Sequence, residues 1–201
     1  MLAHSIKLAL SINEVENIFV STESSKIANI SKKYGATVIN RPLELASDTT
    51  PEWLAWQHAI DFVQRKFGRF DRFLSLPATA PLRNTEDVQK CLNALQEGVD
   101  MVITMASSYR NPWFNMVTAD MDGTVRLVAG DGYINRRQDT RACFDVTTLA
   151  YVSRPDFILR KSSIWDGNVV GVEVPKERSI DIDDSFDFSI ARFLMERSQQ
   201  E

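Results

Sequence analysis

The chain has only two cysteines in 201 residues, Cys91 and Cys143, and their separation fits neither a metal nor a redox motif. A disulfide scaffold is excluded, and free thiols in a reducing, cytoplasmic setting are the expectation. No apolar run is long enough to span a bilayer, so no membrane partner is expected. The opening MLAHSIKLAL lacks the small-residue cleavage site of a signal peptide. Positive charge is not in excess either: 23 Lys and Arg stand against 27 Asp and Glu, a formal net charge of -4. That balance argues against a nucleic-acid partner, while leaving room for a local cationic pocket. There is no internal repeat, no low-complexity segment, no glycine-rich dinucleotide fingerprint, and no serine or cysteine in a nucleophile elbow. Hydrolase and dehydrogenase chemistry both lose ground. His4 and His58 have no metal-spaced partner and read as structural.

What is present is a core-forming composition, 44% hydrophobic, in a length suited to one domain. Leu2, Ile6 and Leu10 recur at helical spacing. Ile18 to Ser21 reads as a buried strand, Ser24 to Lys33 as a helix stopped by Gly35, and Ala36 to Ile39 as a second strand. Thr49-Thr50-Pro51-Glu52 marks the start of a helix running through Trp53, Trp56, Ile60 and Val63 to Gly68. Phe70 to Leu76 is the next strand. A two-proline turn from Pro77 to Arg83 leads into a helix from Asn84 to Glu97, and Val99 to Met105 is a strong strand. This alternation predicts an α/β fold, a mostly parallel sheet with helices on both faces. Ligands then sit beyond the carboxyl ends of the strands, near Ser21-Thr22-Glu23 and the 77–83 loop. Further on, Asp122-Gly123 predicts a hairpin within 121–128, and 131–140 reads as an exposed polar arm. Strands are expected at 147–152 and 169–174. Asp184 to Asp187 caps a last helix whose apolar face carries Phe186, Ile190, Phe193 and Leu194.

Three patterns carry chemistry. In Ile180-Asp181-Ile182-Asp183, strand alternation would put both carboxylates on one face with alpha carbons about 6.6 Å apart. That spacing suits one hard cation, which would relieve their repulsion; the competing reading is that Asp183 or Asp184 caps the following helix. In Leu76 to Arg83, the prolines stiffen a loop in which Thr79 offers a hydroxyl and Arg83 a five-donor fork for an anion. The plainer reading pairs Arg83 with Glu86 or Asp87. Asn135-Arg136-Arg137-Gln138-Asp139 sets adjacent cations on an acidic chain, either as an anion site or as a solvated face. Trp53 and Trp56 fall within a helix and read as core.

Taken in order, VSTESSKIANISKKYGATVINRPLELASDTT, LPATAPLR, NRRQD, TTLAY and SIDIDDSFDF resemble the acylneuraminate cytidylyltransferases, the CMP-sialic acid synthetases, over nearly the whole chain. The resemblance implies a Rossmann-like nucleotide-diphospho-sugar transferase fold, one domain over 1–201 with a dimerisation arm within 108–146, and a homodimer. It implies transfer of CMP from CTP to a 2-keto-3-deoxy acid sugar of eight or nine carbons, with Mg²⁺ as cofactor and release of pyrophosphate. By the same resemblance Asp181 and Asp183 hold the metal and Thr79 lies beside the reacting groups. Ser21, Glu23 and Arg41 sit at the nucleotide end. Arg83, Arg137, Gln138, Thr147 and Tyr151 belong to the substrate side, with Arg137 on the sugar's carboxylate.

Three departures stand out. Pro77 and Ala78 replace the family's Gln-Pro, and DVTTLAY replaces RxNGAIY, so Asp145, Thr147 and Thr148 stand where Arg, Asn and Gly are usual. Both changes fall on the sugar side. The family's first strand and its glycine- and lysine-bearing triphosphate loop have no counterpart at the start of this sequence, which makes activity of the 201-residue form doubtful as an expectation. The alternative function is a non-catalytic nucleotide- or sugar-binding remnant acting as a dimeric binding protein. Transfer of another nucleotide to a neutral sugar phosphate is disfavoured by the RQD and TAPLR elements.

Overall fold

A computed structural model describes residues 1–198. In chain order the elements are α1 (Leu2–Leu10), β1 (Phe19–Thr22), α2 (Ser25–Lys33), β2 (Thr37–Asn40), α3 (Glu52–Phe67), β3 (Phe73–Ser75) and α4 (Thr85–Ala94). They are followed by β4 (Met101–Ser107), β5 (Val117–Ala119), β6 (Val125–Leu127), β7 (Phe144–Ser153), α5 (Pro155–Arg160), β8 (Val169–Glu173) and α6 (Ser185–Ser198). Local chemistry explains the early boundaries. Ser24 caps α2, and Asn84 with Asp87 forms a complete capping box on α4. Gly68, directly after α3, adopts φ +94°, a left-handed turn that side-chain-bearing residues resist.

β1 and β2 form a parallel pair, and a four-stranded sheet has the order β3-β7-β4-β8. β4 and β8 run parallel, while β7 is antiparallel to both of its neighbours, so the sheet is mixed at this point. Among the described residues no ladder joins the β1–β2 pair to the larger sheet. The expected hairpin is present as β5–β6, a small separate ribbon.

β4 shows why the core lies on two sides. Val102 and Ala106 pack with Val88, Cys91, Leu92 and Leu95 of α4, while Met101 and Ile103 pack with Trp53, Trp56 and Ile60 of α3 and Phe157 and Ile158 of α5. Alternate residues thus face different helical layers. On β8, a Cβ at Gly171 would fall 2.6 Å from Met105 Sδ, so the methionine side chain would have to shift to admit a larger residue there.

A buried bulge bends β7 opposite Thr104. The register passes from Ile103↔Tyr151 to Thr104↔Thr147, leaving three β7 residues to be accommodated. The fully buried Thr104 hydroxyl lies 3.1 Å from the Thr147 carbonyl and accepts from Thr147 Oγ1 at 2.8 Å and from the Ala150 N–H at 3.2 Å. Two expectations are corrected here. α6 does not bury its phenylalanines: Phe186 is 70% and Phe193 62% exposed, and Ala191 is the residue that packs inward. Residues 180–183 form no strand.

Candidate active site

The carboxyl ends of β1 and β2 bring Ser21 and Arg41 together. Arg41 Nε donates to Ser21 Oγ at 3.1 Å and Nη2 to the Ser21 carbonyl at 2.9 Å. Two bonds fix the guanidinium at the sheet end, while Glu23, just past β1, is exposed to solvent.

The loop after β3 meets the segment before α6 through one backbone bond, Ile182 N–H to the Thr79 carbonyl at 2.9 Å. That bond explains why 180–183 joins no sheet: its backbone donor is used by the proline loop. Without a ladder, strand alternation does not govern the two aspartates. Asp181 is partly buried, and its Oδ1 is fully buried with no hydrogen-bond donor, whereas Asp183 is exposed. The capping role falls to Asp184, whose Oδ1 accepts from the N–H groups of Phe186 (2.7 Å) and Asp187 (3.0 Å). Capping α6 therefore does not consume the side chain of Asp181 or Asp183.

Arg83 pairs with neither Glu86 nor Asp87. Glu86 binds Lys90, and Asp87 is held by both nitrogens of Arg178 at 2.7 Å. Arg83 instead lies only 6% exposed, donating to Ser5 Oγ at 3.0 Å and to the Pro77 carbonyl, with Nε buried and unpartnered. It braces the proline loop from inside. Burial lowers its pKa to about 10, opposed by the negative charge of Asp181.

Sequence reasoning missed Glu52. It is the first residue of α3, and its carboxyl interacts with Arg41, Asp181 and the Trp56 side chain. Although the residue as a whole keeps an exposed surface, partial withdrawal of the carboxyl from water raises its pKa, and the Trp56 hydrogen bond and Arg41 pull it back. The only signal in the sequence was a helix-start pattern. Tyr151 belongs to the same cluster: its ring packs 5.2 Å from Trp56, and burial, then Glu52 and Asp181, push its phenol up to about 12.

A second place is lined by none of these residues. The 107–111 and 137–144 segments line an open surface depression of about 410 Å³, with Arg110, Arg137, Gln138, Arg141, Cys143 and Phe144 among its residues. Arg137 Nη2 donates to the Ser108 carbonyl at 2.5 Å. Thr147 is not brought to either place, since its hydroxyl is buried in the Thr104 bulge. The substituted Thr148 leaves Oγ1 buried without a partner. Among the described residues no group of three or more His, Cys, Asp or Glu side chains could hold a metal.

These features define a Rossmann-like α/β fold of the nucleotide-diphospho-sugar transferase type, with a carboxylate and cation cluster beyond its strands. Its backbone superposes on CMP:2-keto-3-deoxy-manno-octonic acid synthetase complexed with CTP with a TM-score of 0.67 at 13% identity, covering 97% of this chain and 87% of that one. It superposes on 4-diphosphocytidyl-2C-methyl-D-erythritol synthase with a TM-score of 0.71 at 10% identity, covering 96% and 89%. The cytidylyltransferase family model matches residues 1–121. The chain is 32% identical to post-translational flagellin modification protein B of Campylobacter coli, over 97% of its own length and 83% of that protein's. It is 30% identical to CMP-N,N'-diacetyllegionaminic acid synthase of Campylobacter jejuni with the same coverage. The chain belongs to the acylneuraminate/CMP-sugar cytidylyltransferase family. No helix among the described residues is long and apolar enough to cross a membrane.

Proposed function

We propose that the protein transfers CMP from CTP to a 2-keto-3-deoxy acid sugar. The sugar's anomeric oxygen bonds to the α-phosphorus as the α–β bridging bond breaks and pyrophosphate leaves. The observation that carries this reading is the orphaned Asp181 Oδ1, set against the Thr79 loop by the Ile182–Thr79 bond and within electrostatic reach of Glu52, Arg83 and Tyr151. A buried carboxylate oxygen without a donor fits a cation, and Mg²⁺ commonly takes one or two protein carboxylates and completes its shell with phosphate oxygens and water. Asp181 and Asp183 would hold it, and when bound it neutralises charge on the phosphates. Arg41, clamped on Ser21, and Glu23 orient the nucleotide end, and Thr79 lies beside the reacting groups. Arg83 keeps the loop in place from beneath. Arg137 and Gln138 take the acid sugar. The name of the legionaminate relative supports a nine-carbon acid of the sialic type as acceptor.

The β5–β6 ribbon carries the proposed C2 homodimer contact. Val117, Val125 and Tyr133 are more than half exposed and Met121 fully so, an apolar surface that a second copy would cover. Light scattering should return about twice the 22.8 kDa chain mass; a constant monomer mass across concentrations refutes the dimer.

The test of function is pyrophosphate release from CTP and Mg²⁺ across N-acetylneuraminate, legionaminate-type and octulosonate acids. Asp181→Asn and Asp183→Asn should each abolish turnover without loss of fold. Turnover by either variant near the parent's would overturn the metal assignment. Binding without turnover in the parent would favour the non-catalytic reading.

A further inference from the structure

Arg110, Arg137 and Arg141 line the cavity of about 410 Å³ and no acidic residue does, on a chain with net charge -4. Five other arginines, at 65, 126, 136, 160 and 178, are neutralised by ion pairs. Arg110 and Arg141 have no ion-pair partner among the described residues. Their backbone positions are nevertheless fixed. Asn111, only 4% exposed, donates from Nδ2 to Thr140 Oγ1 (3.0 Å), the Arg141 carbonyl (2.9 Å) and Cys143 Sγ (3.3 Å), and its Oδ1 accepts from the Trp113 N–H at 2.9 Å. One buried amide thus ties the two cavity walls together. The Arg141 guanidinium lies 5.9 Å from the centre of the Trp113 ring, which limits where it can swing.

Three arginines lining one dent in the surface, with no acidic residue among them, raise the local positive potential, and an anion relieves it. The remaining lining suits a hydroxylated acid: Gln138, Ser107 and Thr140 offer hydrogen bonds, and Phe144 offers an apolar face. We propose that Arg110 and Arg141 are specificity-determining residues that clamp the carboxylate of the acid sugar together with Arg137, and that Asn111 is the residue that positions them. This rests on the acid-sugar acceptor proposed above.

Cys143 lines the same cavity and reports on it without any turnover, because the other cysteine, Cys91, is fully buried. The experiment follows iodoacetamide labelling of Cys143 in the full chain, with N-acetylneuraminate and its uncharged methyl ester as probes. The acid should slow labelling and the ester should not. Arg110→Gln and Arg141→Gln should each raise the acid concentration needed for protection about tenfold, as loss of a charge-assisted bond implies. Arg141→Lys should recover only part, since a point charge lacks the planar fork. Both arginines are exposed, so the variants should keep the parent's circular dichroism and melting temperature. Protection by the acid with an unchanged concentration dependence in both glutamine variants would leave the clamp to Arg137 alone and overturn the inference. Equal protection by acid and ester, or none by either, would also overturn it. Pyrophosphate release by the parent would in each case leave the proposed function standing.

Discussion

The ion pair between Arg178 and Asp87 ties the segment carrying Asp181 to α4, and its removal gives the sharpest test of how the site is held. The Asp87 side chain is 1% exposed and accepts from both Arg178 nitrogens at 2.7 Å, while also accepting the Asn84 N–H at 3.2 Å in the α4 capping box. Arg178→Met leaves that carboxylate buried without its counter-charge. Stranding one partner of a buried pair typically costs about 3–5 kcal/mol, and the 28% exposure of Arg178 places this one near the lower end, at about 3 kcal/mol. For a chain of this size each kcal/mol moves the melting temperature by about 2–4 °C, so a drop of roughly 6–12 °C is expected in calorimetry. Asp87→Asn combined with Arg178→Met should recover about half of the loss, because the amide keeps an oxygen for the Asn84 N–H and no charge is stranded. Because Asp181 lies only three residues beyond Arg178, the single variant should also raise the Mg²⁺ concentration needed for half-maximal turnover. A loss below about 1 kcal/mol in urea denaturation, or a double variant no better than Arg178→Met, would refute the claim that a stranded buried charge dominates.

The two cysteines should separate cleanly. Burial pushes Cys91 up to about 12, so native protein at pH 8 should take one equivalent of iodoacetamide, at Cys143, and a second only in denaturant; two equivalents under native conditions would contradict this burial. Tyr151, also pushed up to about 12 by burial, should give a late ionisation step at 295 nm, and Tyr151→Phe should remove that step. Its folded pKa lies above the unfolded value of about 10, so its contribution to stability is complete below that pH and is lost as pH rises from about 10 toward 12. Gly171→Ala should cost about 1–3 kcal/mol, because the new methyl meets Met105 Sδ, and Met105→Val in the same chain should restore most of it; a neutral single variant would show that Met105 moves freely.

The sequence by itself determined whatever depends on neighbours along the chain. Ser24, Asn84 and Asp184 cap helices that begin where the sequence places them, because a cap needs only the three residues that follow it. The hydrophobic-rich segment 99–105 gave β4, because a strand buried on both faces needs apolar residues at most of its positions. α5, six residues at Pro155–Arg160, escaped notice, being too short to show a period. Tertiary structure decided what depends on distant partners. Asp87 takes Arg178, 91 residues away, in preference to the nearby Arg83, because the buried carboxylate receives a bidentate fork there. The Thr147 hydroxyl is bonded to Thr104, 43 residues away, a partner that only the β7 bulge brings to it. Glu52 comes within electrostatic reach of Arg41 and of Asp181, 129 residues away, which no local pattern encodes. The aspartates of 181 and 183 were read from strand alternation, yet the segment's donor at Ile182 goes to Thr79 across the fold. A backbone donor takes whichever acceptor packing presents to it, and only the folded chain specifies that acceptor.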